Sequence, residues 1–550
     1  MRAITLGLMA TAAGLIAAHG TLAKSAAPIL TGHVSSAEEG AMEGVVVSAK
    51  ADGSTITTSV VSDKSGAFAF PAGRLPPGHY ALTIRAVGYV LDGTPSADIG
   101  ASPLSVDLRL GKTKNLAGQL TNTEWTNSAP GTEDQKAYLL NCTGCHTLER
   151  IFRSTHDADE FVQVLTRMAW HAPGSMPSHP QNRVAAPDAD NPERFRKAAE
   201  YLASINLSQS ETWPFELKTL PRPSGAATKV IITEYDIPRP EAMPHDVVMD
   251  KNGMIWYSDF GSQVLGSLDP KTGKITDYTV PTLKADAPTG LLDLEFDKDN
   301  NLWLGLMLQG GVAKFDRTTH KFQTWSLPAA INNDIAQQAM VVPYRDGVDG
   351  KVWMNNVGLH EVHRVTLASG TFETFAPFAS LPKGRPHDIY GTFADSHNNL
   401  YGSDFGDNKD AQMVRVDAKT GKVTFYPIPT PYARPRRGRM DAQDRLFFAE
   451  YRGDKVAMLD TKAETFKEWA VPAGTWPYDV IWDKDGYLWT GGMSNDRVIR
   501  INMKTGATVA YLLPRSTNIR RVIVDNRTEP PTLWTGSNHG GSIVKVEPQE

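Results

Sequence analysis

The sequence predicts a multidomain, mainly β protein: an N-terminal β-sandwich, a small all-α domain and a C-terminal seven-bladed β-propeller. Three observations carry this. Short alternating segments broken by glycine turns fill the N-terminal part, a helical period replaces them around the only two cysteines, and an aromatic-centred strand then recurs seven times at intervals of 42–50 residues. With 550 residues, 41% hydrophobic and 21% charged, the composition is that of a soluble globular chain of several domains. A net charge of -5 gives no basic excess, which argues against nucleic acid and anionic membrane as partners.

Residues 1–23 read as a secretory signal peptide, with Arg2 as the positive end, an apolar run from Ile4 to Ala18, and small residues around Thr21-Leu22-Ala23. The run is too short to span a bilayer comfortably and no later segment is longer, so the expected location is periplasmic or secreted, with no integral membrane segment after cleavage.

From 28 to 110, Leu30-Thr-Gly-His-Val, Gly44-Val-Val-Val-Ser, Gly66-Ala-Phe-Ala-Phe, Tyr80-Ala-Leu-Thr-Ile and Val106-Asp-Leu-Arg-Leu read as sandwich strands. The run Asp63-Lys-Ser-Gly-Ala-Phe-Ala-Phe, then Leu75-Pro-Pro-Gly-His-Tyr and Gly88-Tyr89, resembles the carboxypeptidase regulatory-like domain. That resemblance implies a non-catalytic accessory with a structural or docking role. Residues 111–130 read as a polar linker.

Cys142-Thr-Gly-Cys-His146 has the C-x-x-C-H spacing of covalent haem attachment. Two thiols three apart match the two vinyl groups of one porphyrin, and the adjacent imidazole is then placed under the iron. A zinc site would need further ligands at comparable spacing, and no second cysteine pair exists. The expected cofactor is therefore one haem c on Cys142 and Cys145, with His146 as an iron ligand. Helices are expected from Thr132, from Asp157 and from Asn191-Pro192 to Ile205. Three helices around one haem make a small cytochrome c domain over 131–207, and the third helix resembles the C-terminal helix of that family. The resemblance implies an axial methionine from a Met-Pro, here Met176 in Gly174-Ser-Met-Pro177; without it the iron has an open position. Met168 reads as a helix core residue, and His171 and His179 as surface loop residues.

After a proline-rich connector at Trp213-Pro214 and Pro221-Arg-Pro, residues 228–550 are repetitive. The strands centre on Trp256, Trp303, Trp353, Tyr401, Phe447, Trp489 and Trp534. A second motif, an aromatic shortly before a proline, also occurs seven times, from Tyr235-Asp-Ile-Pro to Tyr511-Leu-Leu-Pro, but out of phase with the first. The phase shift predicts that the strand around Tyr235 completes the last blade, closing a propeller of four strands per blade. The recurring Asp-Lys-Asn-Gly and Asp-Lys-Asp-Gly segments read as turns rather than calcium loops.

The blade pattern, with Pro-His-Asp-Val, Asp250-Lys-Asn-Gly-Met-Ile-Trp-Tyr-Ser-Asp and Gly273-Lys-Ile-Thr-Asp-Tyr, resembles the virginiamycin B lyase (streptogramin lyase) family. That implies elimination chemistry with a divalent metal ion, histidine and glutamate. Only Phe447-Phe-Ala-Glu450 keeps the family's glutamate; Asp259 and Asp404 stand at the equivalent places, and the last blade offers Arg520-Arg521 and His539. Hairpin geometry predicts that His245 approaches Asp259 and that His387 approaches Asp404. Stepping through the blades gives a ring of His245-Asp246, Gln338, His387-Asp388, Arg436-Arg437, Tyr478-Asp479 and Arg520. Such a ring can hold a metal, an anion or a polar substrate, with His245 or His387 as base, Arg437 as counter-charge and Tyr478 beside them; the same groups serve equally as inter-blade hydrogen bonds.

Two function classes follow. One is a periplasmic oxidoreductase whose propeller binds a small-molecule substrate and whose haem relays electrons to a redox partner protein; the joining of the two modules is similar in plan to haem nitrite reductases and quinoprotein dehydrogenases. The other is a metal-dependent streptogramin-type lyase with an accessory haem. A non-catalytic electron-transfer docking protein is the third reading. The haem favours the first, because elimination transfers no net electrons.

Overall fold

The computed structural model describes residues 27–116, 118–185, 191–208, 214–382 and 387–549. The signal-peptide reading of 1–23 lies outside them, as does Trp213.

Six four-stranded antiparallel sheets and a seventh blade that is continuous with the N-terminal domain make the C-terminal ring. Their innermost strands begin at Pro244, Leu294, Val341, Ile389, Pro435, Pro477 and Ile519, and the last of these packs on the first, so the ring is closed. One carboxylate explains why aspartate and tryptophan recur together. In blade one, Asp250 accepts the backbone N–H groups of Asn252 (2.8 Å) and Met254 (3.1 Å) with one oxygen and the Trp256 indole N–H (3.3 Å) with the other. Asp297 does the same for Asp299, Asn301 and Trp303, and Asp483 for Asp485, Tyr487 and Trp489. The turn and the buried aromatic are thus locked by one residue, and its oxygens are spent on N–H donors.

The last blade is completed as the phase shift predicts. Val230–Asp236 pairs antiparallel with Ser542–Pro548, placing Tyr235 opposite Ile543. Its other edge pairs with Ile56–Val61 of the N-terminal domain, Ile231 opposite Val60 and Tyr235 opposite Ile56, so one eight-stranded sheet runs from the last blade into the sandwich. The sandwich has its own core around Leu30, Val34, Phe70, Leu82 and Leu108. Val46 and Val61 instead pack with Trp489, Leu513 and Val544 of blades six and seven. Arg85 crosses the seam to Asp496 (2.6 Å) and to the carbonyl oxygens of Leu513 and Arg515 (2.9 Å each), with both ionic side chains buried.

Between sandwich and propeller lie five helices: α1 (Asn122–Ser128), α2 (Glu133–Cys142), α3 (Glu149–Phe152), α4 (Ala158–Trp170) and α5 (Arg196–Ile205). Capping boxes start α2, from Thr132 to Gln135, and α4, from Asp157 to Glu160, at the expected positions. The third expected helix opens as a 3-10 turn over Pro192–Phe195 before α5. α1 stands where the sequence reads as a linker. Thr121 and Glu124 form its capping box, and Trp125 stacks on Phe152 with ring centroids 4.4 Å apart. Its polar residues are buried because they are bonded: Thr123 donates its amide to the Ser494 carbonyl (2.9 Å) and its hydroxyl to that of Gly474 (2.6 Å). Among the described residues no helix is long and apolar enough to cross a membrane.

Removing the Arg85 guanidinium leaves Asp496 charged, buried and unpaired. Arg85→Ala is expected to lower stability by about 3–5 kcal/mol, read as a shift in the urea unfolding midpoint; an unshifted midpoint would show that the seam contributes nothing.

Candidate functional site

α2 delivers the C-x-x-C-H segment. Thr143 ends the helix and donates its hydroxyl to the Leu140 carbonyl (2.9 Å), and the Cys145 amide reaches the Cys142 carbonyl (3.4 Å), a tight turn that puts both half-buried thiols beside His146. Both cysteines are free thiols. Burial pushes the Cys142 thiol up to about 12, so it stays protonated, and raises Cys145 as well. His146 Nδ1 bonds to the Thr147 carbonyl (2.9 Å), and burial lowers its pKa, keeping the imidazole neutral with Nε2 as its free lone pair. These features fit a covalently held haem with His146 as ligand: two adjacent free thiols, and an imidazole in its ligating form with the remote nitrogen already tied to a carbonyl.

The segment is pressed onto the propeller. Asn518 Nδ2 donates to the Thr143 carbonyl (3.2 Å), Arg520 donates to that of Gly144 (3.0 Å), and the imidazole of His539 is buried at the same contact, where burial lowers its pKa to about 3. The loop after α4 makes a second attachment. Gln181 bonds to the backbone of Gly261 and to Thr289, and Gly174 lies so close to the Phe260 carbonyl that an added Cβ would sit 2.0 Å from its oxygen. Met176 rides on this loop and packs against the propeller's axial cluster, whereas Cys142 belongs to the helical core. Met168, expected in the core, is 37% exposed, since the buried face of α4 runs through Phe161, Val162 and Leu165. His179 is exposed and His171 half-buried.

Beneath the helices, the mouth of the ring is lined by Met243, Met307, Met340, Tyr390, Tyr478 and Met493. Five inner strands carry an irregularity just inside the mouth, at Pro244/Val247, Ile389/Thr392, Pro435/Gly438, Pro477/Val480 and Ile519/Val522. A bulge re-aims the residues within it, and these are His245-Asp246, Tyr390, Arg436-Arg437, Tyr478-Asp479 and Arg520-Arg521. A hydrogen-bonded chain results. Tyr390 and Tyr478 join hydroxyl to hydroxyl, Tyr478 reaches His245 Nε2 (3.3 Å), and His245 Nδ1 meets Asp246 (2.7 Å). Burial lowers the His245 pKa to about 3, so the imidazole is neutral, with Nδ1–H donating to Asp246 and Nε2 accepting from Tyr478. Below it the axis is plugged by ions. Arg437 binds both oxygens of Asp246 (2.6 and 2.7 Å) and also Asp293, and Arg521 binds Asp246 and Asp293 (3.0 Å each) and Glu295. Burial works to raise Asp246, and Arg437, His245 and Arg521 together overcome it and hold its pKa well below the usual carboxylate range.

The remaining predicted residues divide. His387 does meet Asp404 (2.8 Å). His245 does not meet Asp259, because the bulge after Pro244 turns the imidazole toward Asp246; Asp259 instead binds Arg239 (2.7 Å), which also holds Asp277 (2.6 Å). Glu450 points into a buried site beside Glu468, with both of its oxygens unpartnered, while Lys455 (2.6 Å) and Thr430 (2.9 Å) serve Glu468. Among the described residues no three of His, Cys, Asp and Glu converge as metal ligands. Tyr478 is reached by stepping through the blades, whereas the methionines of the mouth and Tyr390 had no signal of their own in the sequence.

Residues 29–114 match the carboxypeptidase regulatory-like domain. A comparison with curated protein sequences finds no match. Among solved structures, a streptogramin B lyase is similar at 19% identity and a TM-score of 0.49, over 59% of this chain and 99% of that one. The virginiamycin B lyase of Staphylococcus aureus is similar at 18% identity and 0.48, over 58% and 99%. The extracellular domain of a one component system from B. thetaiotaomicron is similar at 14% and 0.42, over 55% and 40%.

Burial, and then the neighbouring Glu468, raise the Glu450 pKa from 4.5 to about 8. Stability carried by the protonated carboxyl is therefore complete below pH 4.5 and is lost as the pH rises through 8. Glu450→Gln is expected to melt higher than the parent at pH 9 and with it at pH 5; a variant that melts lower at both values rules this ionisation out. The chain thus joins an N-terminal segment that matches the carboxypeptidase regulatory-like domain to a closed ring of seven blades, the last of them continuous with that segment.

Proposed function

We propose that the chain is an exported c-type haem protein acting as an oxidoreductase. Cys142, Cys145 and His146 would hold haem c, a small-molecule substrate would occupy the propeller mouth, and a separate redox protein would be the partner. The observation that carries this reading is the docking of Thr143 and Gly144 onto Asn518 and Arg520, which sets the C-x-x-C-H motif directly over the mouth. When bound, haem c supplies one-electron transfer.

The chain's own residues supply the rest. The neutral His245 fixes the direction of the hydrogen bonds, so Tyr478 donates to His245 and Tyr390 donates to Tyr478. Both phenols are held in one orientation, with a proton on each oxygen; burial holds the Tyr390 pKa well above its ordinary value. Asp246 is committed to two arginines and stays ionised, so it positions His245 rather than taking its proton. Met176, on the loop that Gln181 pins to the ring, is the sixth-ligand candidate. The helices roof the mouth, with Thr143 and Gly144 held to the ring by Asn518 and Arg520.

Export of the full chain in a host competent for cytochrome c maturation is expected to give one covalent haem per polypeptide by pyridine haemochrome, and none for the Cys142→Ala, Cys145→Ala double variant. With Met176 bound, the reduced protein ignores carbon monoxide and Met176→Ala binds it. A wild-type chain that matures without covalent haem sinks the proposal.

A further inference from the structure

A cavity of about 400 Å3 lies between α2 and the propeller, walled on one side by Tyr138, Asn141 and Gly144 and on the other by blades four to seven. The propeller side carries Arg434, Arg436 and Arg520. Among the described residues none of these three has a carboxylate partner, and the Nε atoms of Arg436 and Arg520 are buried with no acceptor; Arg520 is only 5% exposed. The acids at the cavity are otherwise placed: Asp407 is paired with Arg452 (2.7 Å), and Asp134 sits on the exposed first turn of α2. Arg436 lies over four rings, Phe405 (4.3 Å), Tyr451 (4.2 Å), Tyr478 (4.6 Å) and Tyr390 (5.4 Å), and Arg434 lies over Phe405 (4.3 Å).

Aromatic faces stabilise a guanidinium without using its N–H donors, and of those donors Arg434 spends one on the Phe405 carbonyl (3.2 Å) and Arg520 one on that of Gly144 (3.0 Å). Three like charges gathered without a counter-ion repel one another, and the Arg434 pKa is lowered by burial and then by Arg436. The fork geometry of arginine matches carboxylate in two parallel bonds, and rings on the walls favour a flat organic ligand over a bare inorganic anion.

From these observations we infer that Arg434, Arg436 and Arg520 form a carboxylate-binding site at the interface of α2 and the propeller, shaped for a planar organic acid. This rests on the proposed redox reading for its role, where it names the substrate class, but not for its existence. The carboxylate has two sources: a free organic acid, or the acid side chains of the porphyrin itself.

The test titrates the full-length, exported and matured protein with benzoate, following tryptophan fluorescence, since Trp476 lines the cavity. Benzyl alcohol and inorganic phosphate are the controls. A free-acid site gives a saturable benzoate response, absent with benzyl alcohol and weakened about tenfold or more in Arg436→Gln and in Arg434→Gln. Arg434 is at the half-exposed rim, so its variant serves should Arg436→Gln not fold, and Arg436→Lys reports on charge without the fork. If porphyrin acids fill the site, benzoate is silent in the wild type and the same variants shift the haem midpoint potential. Silence in both assays, or equal binding of benzyl alcohol, overturns the inference. A benzoate response in protein that carries no covalent haem keeps the site and sinks the redox reading alone.

Discussion

One strand, Val230–Asp236, has both edges bonded, to Ser542–Pro548 on one side and to Ile56–Val61 on the other. An open edge would be a template for pairing with another chain, and here neither edge is open. Ring closure and the attachment of the sandwich are therefore one event. The helical region leaves the six-stranded sheet of the sandwich after Leu108–Lys112 and ends at this strand of the eight-stranded sheet, so its two ends are held by the two sheets that the sandwich shares. Its position over the mouth follows from that fastening, with Thr123, Gln181 and Thr143 as the contact points.

Inside the ring, charge and apolarity are separated along the axis. Four blades meet at the plug, through Asp246, Asp293, Arg437 and Arg521, and a buried network of this kind is costly to leave incomplete. It fills the channel with groups that satisfy one another. The mouth above it is methionine and aromatic, with arginines that have no carboxylate partner among the described residues. The cavity and the arginines without carboxylate partners thus lie at one end of the ring, the end that carries the helices.

The features that repeat were legible: the aspartate turn with its tryptophan, the completion of the last blade by the strand of Tyr235, and the capping boxes at Thr132 and Asp157. What escaped depends on contacts between distant segments. α1 reads as a linker because its composition is polar, and those polar groups are buried only because blade six supplies their partners. His245 misses Asp259 because a bulge changes the register of the inner strand, and nothing in Pro-His-Asp-Val announces a bulge. The same irregularity sends Arg437 into the plug and its neighbour Arg436 into the mouth, two fates for adjacent identical residues. Met168 is exposed because the buried face of α4 runs through Phe161, Val162 and Leu165, and Met176 reaches the propeller on a loop placed by Gln181 and not by its own sequence period.

The docking of Thr143 onto Asn518 joins residues 375 positions apart. During synthesis the thiols on either side of Thr143 emerge long before the strand that closes the ring, and they are unroofed throughout that interval. Once Asn518 and Arg520 are in place, Thr143 is wholly buried and the thiols are half-covered. Access to those thiols is thus governed by a contact that forms only when the last strands of the ring are in place.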